Sequence, residues 1–389
     1  MKRKIGIAIA AVLYAGVVLA QKPVASFPFE QYGDHSFIKV KINNSEELDF
    51  IFDTGDGLTV LNIDRAKELG MTSGSNATTT SAEGTISGKL VKHNEISVGG
   101  APIHNIKVYE TSLNHLEISI GRSIDGIIGY DILNSYVVSM DYDKKMIELY
   151  DPSMYKYKGT GTKMKIKLTS YIPHISGQVT LSNGEKIKGE FFIDTGAKAT
   201  VDFNTPFVES NGLASKVGDS YIYLVAGLGD KEYEHHRGRV KAFAFEGFSF
   251  EDIPVGLSHA KHGIQNHNKV SGIIGSGILS KFNIVYNYKE KKMYWEAAKS
   301  YNEPFPVNAS GIELQLSKDQ SQVLVHKVFE NSPAFEAGIE VDAVIESVDG
   351  EDALALGLAK LRGIFSQDGE TVIVTIDGEE IEMELKSML

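Results

Sequence analysis

IFDTGDGLTV at residues 51–60 and FFIDTGAKATV at residues 191–201 both carry the tripeptide Asp-Thr-Gly after an apolar run. Each copy is followed, at nearly the same separation, by Gly-Ile-Ile-Gly, once at residues 126–129 and once at residues 272–275. The two halves also end alike, each with a strand-like run, a Lys-rich turn and a second strand-like run. Internal duplication therefore organises roughly the first 300 residues.

Both Asp-Thr-Gly copies are predicted to lie in tight turns at the ends of β-strands. Apolar and polar residues alternate with period two before each copy, which is typical of a half-buried strand. In the second half, Asn183-Gly184 separates two such runs and indicates a two-residue hairpin. The aspartates of the two copies, Asp53 and Asp194, then follow the second strand of each hairpin.

Short helices and long hairpins are predicted downstream of the turns. Asp64 is expected to cap a helix over residues 65–69, and Thr205 to start a second helix. Segments 82–98 and 226–245 are richer in glycine and charge and are predicted to form hairpins. Hairpins in these positions could become flaps over a cleft.

Two carboxyl groups from duplicated halves can activate water for peptide hydrolysis. One group takes a proton from water while the other gives one to the carbonyl oxygen. Because two adjacent carboxylates resist double ionisation, the pair holds one proton from acid to near-neutral pH. Gly55 and Gly196 permit close backbone approach. Thr54 and Thr195 can hydrogen-bond the neighbouring backbone and hold the turns rigid.

The sequence resembles the aspartic peptidases of the pepsin and retroviral type. The resemblance rests on the two Asp-Thr-Gly turns and on Gly-Ile-Ile-Gly, and it covers roughly residues 25 to 298. It implies two retroviral-type β-barrel lobes around a cleft, and the binding of an extended peptide. It also implies that Asp53 and Asp194 are the catalytic pair and that Thr54 and Thr195 hydrogen-bond across the pseudo-twofold axis.

One residue beside the first motif departs from the family pattern. Asp56 follows Gly55, where the family usually has Ala or Ser, so a third carboxylate lies close to the pair. This carboxylate could raise the pKa of the pair or could point to solvent, and its removal is expected to shift the acid limb of activity downward. The flap region between residues 78 and 92 also lacks a tyrosine, as in retroviral-type flaps.

The C-terminal residues resemble a PDZ domain. The resemblance rests on Ser310-Gly311-Ile312-Glu313 before a strand, on VFENSPAFEAG at residues 328–338 and on VDAVIESVDG at residues 341–350. It implies a groove that adds a peptide as an extra strand, with Ser310, Gly311, Ile312 and Glu313 as its peptide-binding loop. The alternative for this unit is a rigid cap or a dimer contact.

Length, charge and the N-terminus limit the remaining interpretations. A chain of 389 residues is expected to form two or three domains. The formal net charge of −12 argues against a nucleic-acid binder. Basic residues followed by an apolar stretch shorter than a spanning helix indicate a secretory signal peptide at residues 1–20.

Cysteine and metal chemistry are not expected. The chain has no cysteine, which excludes thiol catalysis and disulfides. His259, His262 and His267 are close enough in sequence to suggest zinc, but the spacing lacks a Glu between the first two and indicates a polar loop. No metal and no cofactor are therefore predicted, and water is the nucleophile.

The sequence thus predicts a mostly β protein with two pseudo-symmetric retropepsin-like lobes and a small α+β PDZ-like domain. The predicted division is a signal peptide at 1–20, lobes at 25–155 and 156–298, a linker at 299–310 and a PDZ-like domain at 311–389. The predicted function is an exported, periplasmic or secreted aspartic endopeptidase. The alternative is a catalytically inactive peptide-binding protein that keeps the cleft. Peptides or unfolded proteins are the expected partners, without nucleic acid and, after signal cleavage, without a membrane.

Overall fold

A computed structural model describes residues 21–71, 74–81, 84–229 and 231–389. The predicted signal peptide lies outside these residues. The fold is mostly β, as the sequence predicts, and its strands form four sheets within the described residues. No helix in this part of the chain is long and apolar enough to cross a membrane.

Strands β1 to β11 and helices α1 to α3 occupy the first half. Their bounds are β1 Ala25–Pro28, β2 Glu30–Tyr32, β3 His35–Ile42, β4 Leu48–Phe52, β5 Thr59–Asn62, α1 Ile63–Glu68, β6 Ser75–Thr80, β7 Thr85–Val98, β8 Ala101–Thr111, α2 Asn114–Ile120, β9 Gly126–Ile128, α3 Tyr130–Ser135, β10 Val137–Asp141 and β11 Met146–Tyr150. Eight of them form the first sheet, in the order β2-β3-β4-β9-β5-β8-β7-β6. An additional β3–β7 pairing curls this sheet towards a barrel.

The second half repeats this arrangement. The bounds are β12 Thr162–Lys165, β13 Lys167–Thr169, β14 Ile172–Thr180, β15 Lys186–Ile193, β16 Val201–Phe203, α4 Thr205–Asn211, β17 Tyr221–Ala226, β18 Glu232–Phe245, β19 Phe248–Ser258, β20 Gly272–Ile274, α5 Ser276–Leu279, β21 Phe282–Asn287 and β22 Lys292–Ala297. The second sheet has the order β13-β14-β15-β20-β16-β19-β18-β17, with an additional β14–β18 pairing. The two sheets therefore share one connectivity, as duplication predicts.

A third sheet joins the two halves. Its strand order is β1-β11-β10-β21-β22-β12, so it contains strands from both halves. The join is the antiparallel pairing of β10 with β21, which sets Val138 opposite Tyr286 and Met140 opposite Ile284. All four side chains are buried. Burial of this apolar surface fixes the two halves relative to each other.

A fourth sheet lies in the C-terminal unit, which we define as residues 308–389. Its elements are β23 Ile312–Leu316, β24 Val323–Val328, α6 Pro333–Glu336, β25 Val344–Val348, β26 Glu351–Asp352, α7 Ala353–Ile364, β27 Thr371–Ile376 and β28 Glu379–Glu384. The order β23-β24-β25-β27-β28 leaves β23 at one edge, with β26 paired to β25. The unit has its own apolar core, to which α7 contributes Leu358 and Leu361.

Two local predictions need correction. Helix α1 is capped by Asn62, whose side chain accepts a hydrogen bond from the Asp64 N–H, so Asp64 lies inside the helix. The segment predicted as a linker packs on the second half through Tyr301 and Phe305. Its aromatic rings approach Phe250 at 5.2 and 5.5 Å between centroids. Singly placed aromatic residues give no periodic pattern, so the sequence did not reveal this packing.

Candidate active site

The two Asp-Thr-Gly turns meet between the first and second sheets. In each half the strand before the turn pairs in parallel with the Gly-Ile-Ile strand, β4 with β9 and β15 with β20. The Asp53 N–H then donates to Ile128 O at 2.9 Å, and the Asp194 N–H donates to Ile274 O at 3.0 Å. Each aspartate is therefore held by the Gly-Ile-Ile element of its own half.

The two carboxyl groups approach so closely that the turns depend on glycine. A methyl group built on Gly55 would overlap the carboxyl of Asp194, and one on Gly196 would overlap the carboxyl of Asp53. Each glycine N–H donates to the aspartate of its own turn, at 2.7 Å for Gly55 and 2.9 Å for Gly196. The Ala197 N–H also donates to Asp194, at 3.0 Å.

The threonines interlock the turns across the pseudo-twofold axis. The Thr54 N–H donates to Thr195 Oγ1 at 3.0 Å, and the Thr195 N–H donates to Thr54 Oγ1 at 3.1 Å. Each hydroxyl in turn donates to the opposite half, Thr54 to Ile193 O at 2.7 Å and Thr195 to Phe52 O at 2.8 Å. Both threonines are buried. Four hydrogen bonds thus fix one turn against the other, so the two carboxyls cannot move apart independently.

The pair favours a singly protonated state. Burial raises the pKa of Asp53 well above its usual value, and the charges of Asp194 and Asp56 raise it further. Burial also raises the pKa of Asp194, whereas a hydrogen bond from the Asp53 carboxyl and the N–H groups of its own turn lower it. The pKa values of both carboxyls are thus raised, and the pair holds one proton between its two members. This is the charge state that an acid/base pair requires.

Asp56 lies inside the site and does not point to solvent. Its Oδ2 is buried and has no hydrogen-bond partner in the described residues, while Oδ1 accepts from the Leu58 N–H at 3.0 Å. Burial, followed by the charges of Asp194 and Asp131, raises the pKa of Asp56 to about 7. Asp131 itself accepts a hydrogen bond from the Thr59 hydroxyl at 2.6 Å. In acid, Asp56 is therefore largely neutral.

The second half contributes charged groups that sequence reasoning missed. Asp202 is buried and accepts from the Tyr223 hydroxyl at 3.1 Å, and its charge raises the pKa of Asp194. The guanidinium of Arg237 lies over the Tyr223 ring, 4.3 Å from its centroid. Lys198, four residues after Asp194, has its pKa lowered to about 8, chiefly by the charge of Arg362. The one sequence signal that could have identified Lys198 as part of the site is its position close to the second Asp-Thr-Gly motif.

Each half extends a hairpin that contacts the other half. They are β6–β7 from the first sheet and β17–β18 from the second. The end of the second hairpin reaches the first half, where Gly227 O lies 3.0 Å from the His115 ring and Leu228 packs on an apolar cluster around Phe37. The first hairpin reaches the second half in return, because the Ile264 N–H donates to Ser81 O at 3.1 Å.

In the C-terminal unit, polar groups of the loop predicted to bind peptide form hydrogen bonds within the chain. Asn308 Oδ1 accepts from the N–H groups of Ser310 and Gly311, at 3.1 and 2.7 Å. The Ile312 N–H donates to the hydroxyl of Ser310 at 3.0 Å, and Glu313 Oε1 accepts from the Leu224 N–H of β17 at 3.2 Å. These groups are engaged within the chain and lie apart from the aspartate pair along the sequence.

The histidines of the predicted polar loop do not gather into a metal site. The His259 ring lies against the His236 ring, 4.8 Å between centroids. Among the residues that the structure describes, no group of three or more His, Cys, Asp or Glu side chains could hold a metal ion.

Comparison with known proteins points to peptidases. A family described as "Aspartyl protease" matches residues 38–132, which include Asp53 and the first Gly-Ile-Ile-Gly element. A "Probable CtpA-like serine protease" from Staphylococcus haemolyticus (strain JCSC1435) is 28% identical over 123 residues. That match covers 31% of this chain and 24% of the relative, so the chain spans about a quarter of that protein's length.

Proposed function

We propose that the protein is an aspartic endopeptidase in which Asp53 and Asp194 activate water. The observation that carries this proposal is the close approach of the two carboxyls, each of which packs against the turn glycine of the other half. The aspartyl protease match over residues 38–132 supports a peptidase and covers one of the two turns. The relative named as a serine protease supports peptidase activity in general.

The charge state of the pair defines the roles of its members. Asp194, whose carboxyl accepts from the N–H groups of Gly196 and Ala197, takes a proton from water as the oxygen attacks the peptide carbon. Asp53, which carries the shared proton, donates to the carbonyl oxygen as the tetrahedral intermediate forms. A proton then passes to the leaving nitrogen and the C–N bond breaks, so one peptide and one water give a carboxylic acid and an amine. The Thr54–Thr195 interlock keeps the carboxyls in register throughout.

The rival function is a peptide-binding protein that has lost turnover, with Asp56 as the suspected cause. A third negative charge would compete for the proton that the pair needs. However, burial raises the pKa of Asp56 to about 7, so Asp56 carries its charge mainly above the acid range in which we expect the pair to work. This favours hydrolysis in acid over a dead cleft.

We also propose the wider organisation that the sequence predicts. Residues 1–20 direct export to the periplasm or outside the cell, residues 25–155 and 156–298 are the two lobes, and residues 311–389 are a PDZ-like domain. The matching strand orders of the first and second sheets support the two lobes. The expected substrates are peptides or unfolded chains, as the resemblance to aspartic peptidases implies.

A diverse peptide library tests the proposed activity. The mature chain is incubated with the library from acid to neutral pH, and new termini are identified by mass spectrometry. We expect internal cleavage with a maximum below neutral pH. Binding of peptides without any new termini at any pH would support the inactive alternative.

A further inference from the structure

The C-terminal unit contacts the second hairpin directly. Besides the Leu224–Glu313 hydrogen bond, the Tyr221 ring of β17 lies 4.7 Å from the Phe329 ring between centroids. Across the same interface, His326 pairs with Glu232 of β18 at 2.8 Å. The second hairpin is therefore attached along its stem to β23, β24 and the residue that follows β24.

The same unit also contacts helix α2 of the first half. Arg362 of α7 donates to Ser119 O at 2.5 Å, and so binds a backbone carbonyl at the C-terminal end of α2. Ile118 packs on the core of the C-terminal unit, and a methyl group on Gly121 would lie 2.6 Å from Leu358. Helix α2 in turn carries His115, which contacts Gly227 O at the end of the second hairpin.

The edge of the C-terminal sheet is covered by the same residues. β23 is an edge strand, and an edge strand exposes N–H and C=O groups that pair readily with another chain. Here the carbonyl of Leu314 in β23 accepts from Arg362 at 2.8 Å, the side chain that also binds Ser119 O. α2 packs against β23 as well. An extended chain therefore cannot pair fully with β23 while Arg362 and α2 stay in place.

We propose that the C-terminal unit is a clasp that holds the β17–β18 hairpin shut over the aspartate pair, and that an extended segment of an unfolded chain opens it by pairing with β23. Pairing displaces Arg362 and α2, which detaches the C-terminal unit and the attached stem of the hairpin from the first half and breaks the contact of the hairpin with His115. The hairpin then lifts and admits substrate. This inference rests on the proposed function only where it calls the cleft catalytic, because the clasp is inferred from the contacts of the C-terminal unit with the hairpin and with α2.

Thiol labelling measures the hairpin without any need for catalysis. The chain has no cysteine, so Leu228→Cys introduces a single thiol on the side chain that is covered when the hairpin is shut. The experiment uses the full chain with Asp53→Asn and Asp194→Asn, which prevents cleavage. Met154→Cys, at a residue 69% exposed, gives the labelling rate of a free thiol. We expect the thiol introduced by Leu228→Cys to label slowly relative to this reference.

Variants on both sides of the interface test the clasp. Arg362→Ala in the C-terminal unit and Ile118→Ala in α2 should each speed labelling of the introduced hairpin thiol at least about fivefold. Lys360→Ala is the matched control, because Lys360 lies on the same helix and, within the described residues, pairs with Glu351 of its own unit at 3.3 Å. Using two variants guards against loss of folding in one, which circular dichroism would reveal. Unchanged labelling in both folded variants would overturn the clasp.

An unfolded chain tests the opening step. Carboxymethylated α-lactalbumin, which remains unfolded, should speed labelling in the chain with an intact clasp and have little further effect in the Arg362→Ala chain. The same protein in its folded form is the control and should have no effect. If the unfolded chain leaves the labelling rate unchanged, β23 is not the opening site. Failure of hydrolysis in the peptide-library test would leave all these rates unaffected, so the two proposals fail separately.

Discussion

Asp56 is the single residue whose position most changes the expected behaviour of the pair. The sequence left open whether this carboxyl raises the pKa of its neighbours or points to solvent, and its buried Oδ2 decides for the former. However, Asp56 is neutral in acid, so its removal is now expected to change the alkaline limb of the pH–rate profile and not the acid limb. Its charge appears only near its pKa of about 7 and then raises the pKa of Asp53.

We therefore predict that Asp56→Asn shifts the alkaline limb of the pH–rate profile to lower pH and leaves the acid limb in place. The physical reason is the loss of a negative charge that otherwise helps Asp53 to keep its proton. Rates on one peptide across the pH range measure it. A shift of the acid limb alone would show that Asp56 is ionised in acid.

The same substitution should stabilise the fold at neutral pH. Burial raises the pKa of Asp56 from 3.8 to about 7, so between these values the folded chain binds more protons than the unfolded chain. Stability is then lost as pH rises through this window. We expect Asp56→Asn to add on the order of 2 kcal/mol at neutral pH and almost nothing in acid. Thermal unfolding at both pH values is the measurement, and an equal change at both would contradict it.

Thr54 offers a test of the interlock with a matched control. Thr54→Val removes a buried hydroxyl and leaves Ile193 O and the Thr195 N–H without partners. The expected loss in the free energy of unfolding is roughly 2 to 4 kcal/mol. Thr54→Ser keeps the hydroxyl and should cost clearly less. Denaturant unfolding compares the three chains, and equal stability of Val and Ser variants would mean that the hydroxyl contributes nothing.

At the scale of elements, alternation and turn residues predicted the strands that lead to each aspartate. Asn183-Gly184 predicted a hairpin between β14 and β15, but the loop has three residues, 182–184, and not the predicted two. These signals are local, so they can be read from neighbouring residues. The segment after β22 was predicted as a linker because it has no period and two prolines. It packs through two isolated aromatic residues, and isolated residues give no signal of what they contact.

This packing predicts where the chain can be shortened. A chain that ends at Val307 keeps Tyr301 and Phe305 on the second half, whereas a chain that ends at Lys299 exposes the surface that they cover. The chain that ends at Lys299 also lacks the Ser300 and Glu303 carbonyls, which accept hydrogen bonds from Lys281 Nζ at 3.0 and 2.7 Å. We expect the shorter chain to melt several degrees lower. Equal melting temperatures would mean that the segment is a free spacer.

At the scale of the whole molecule, the duplication predicted the paired aspartates, because two copies of one motif around a pseudo-twofold axis must face each other. The docking of the C-terminal unit could not be predicted in the same way. Its contacts join residues that are far apart in sequence, such as Arg362 and Ser119, through side chains that follow no shared pattern. The charged neighbours of Asp194 were missed for the same reason, since Asp202 and Tyr223 meet only in the folded sheet.

The central claim is that Asp53 and Asp194 act as one acid/base unit. Its most direct test is the rate of cleavage of one peptide by the wild-type chain, by Asp53→Asn and by Asp194→Asn, at the pH of maximum activity. We predict that each variant folds, binds the peptide and loses at least about 100-fold in rate, to a similar extent, because either change removes half of the shared unit. Retention of most of the wild-type rate by either variant would contradict the account.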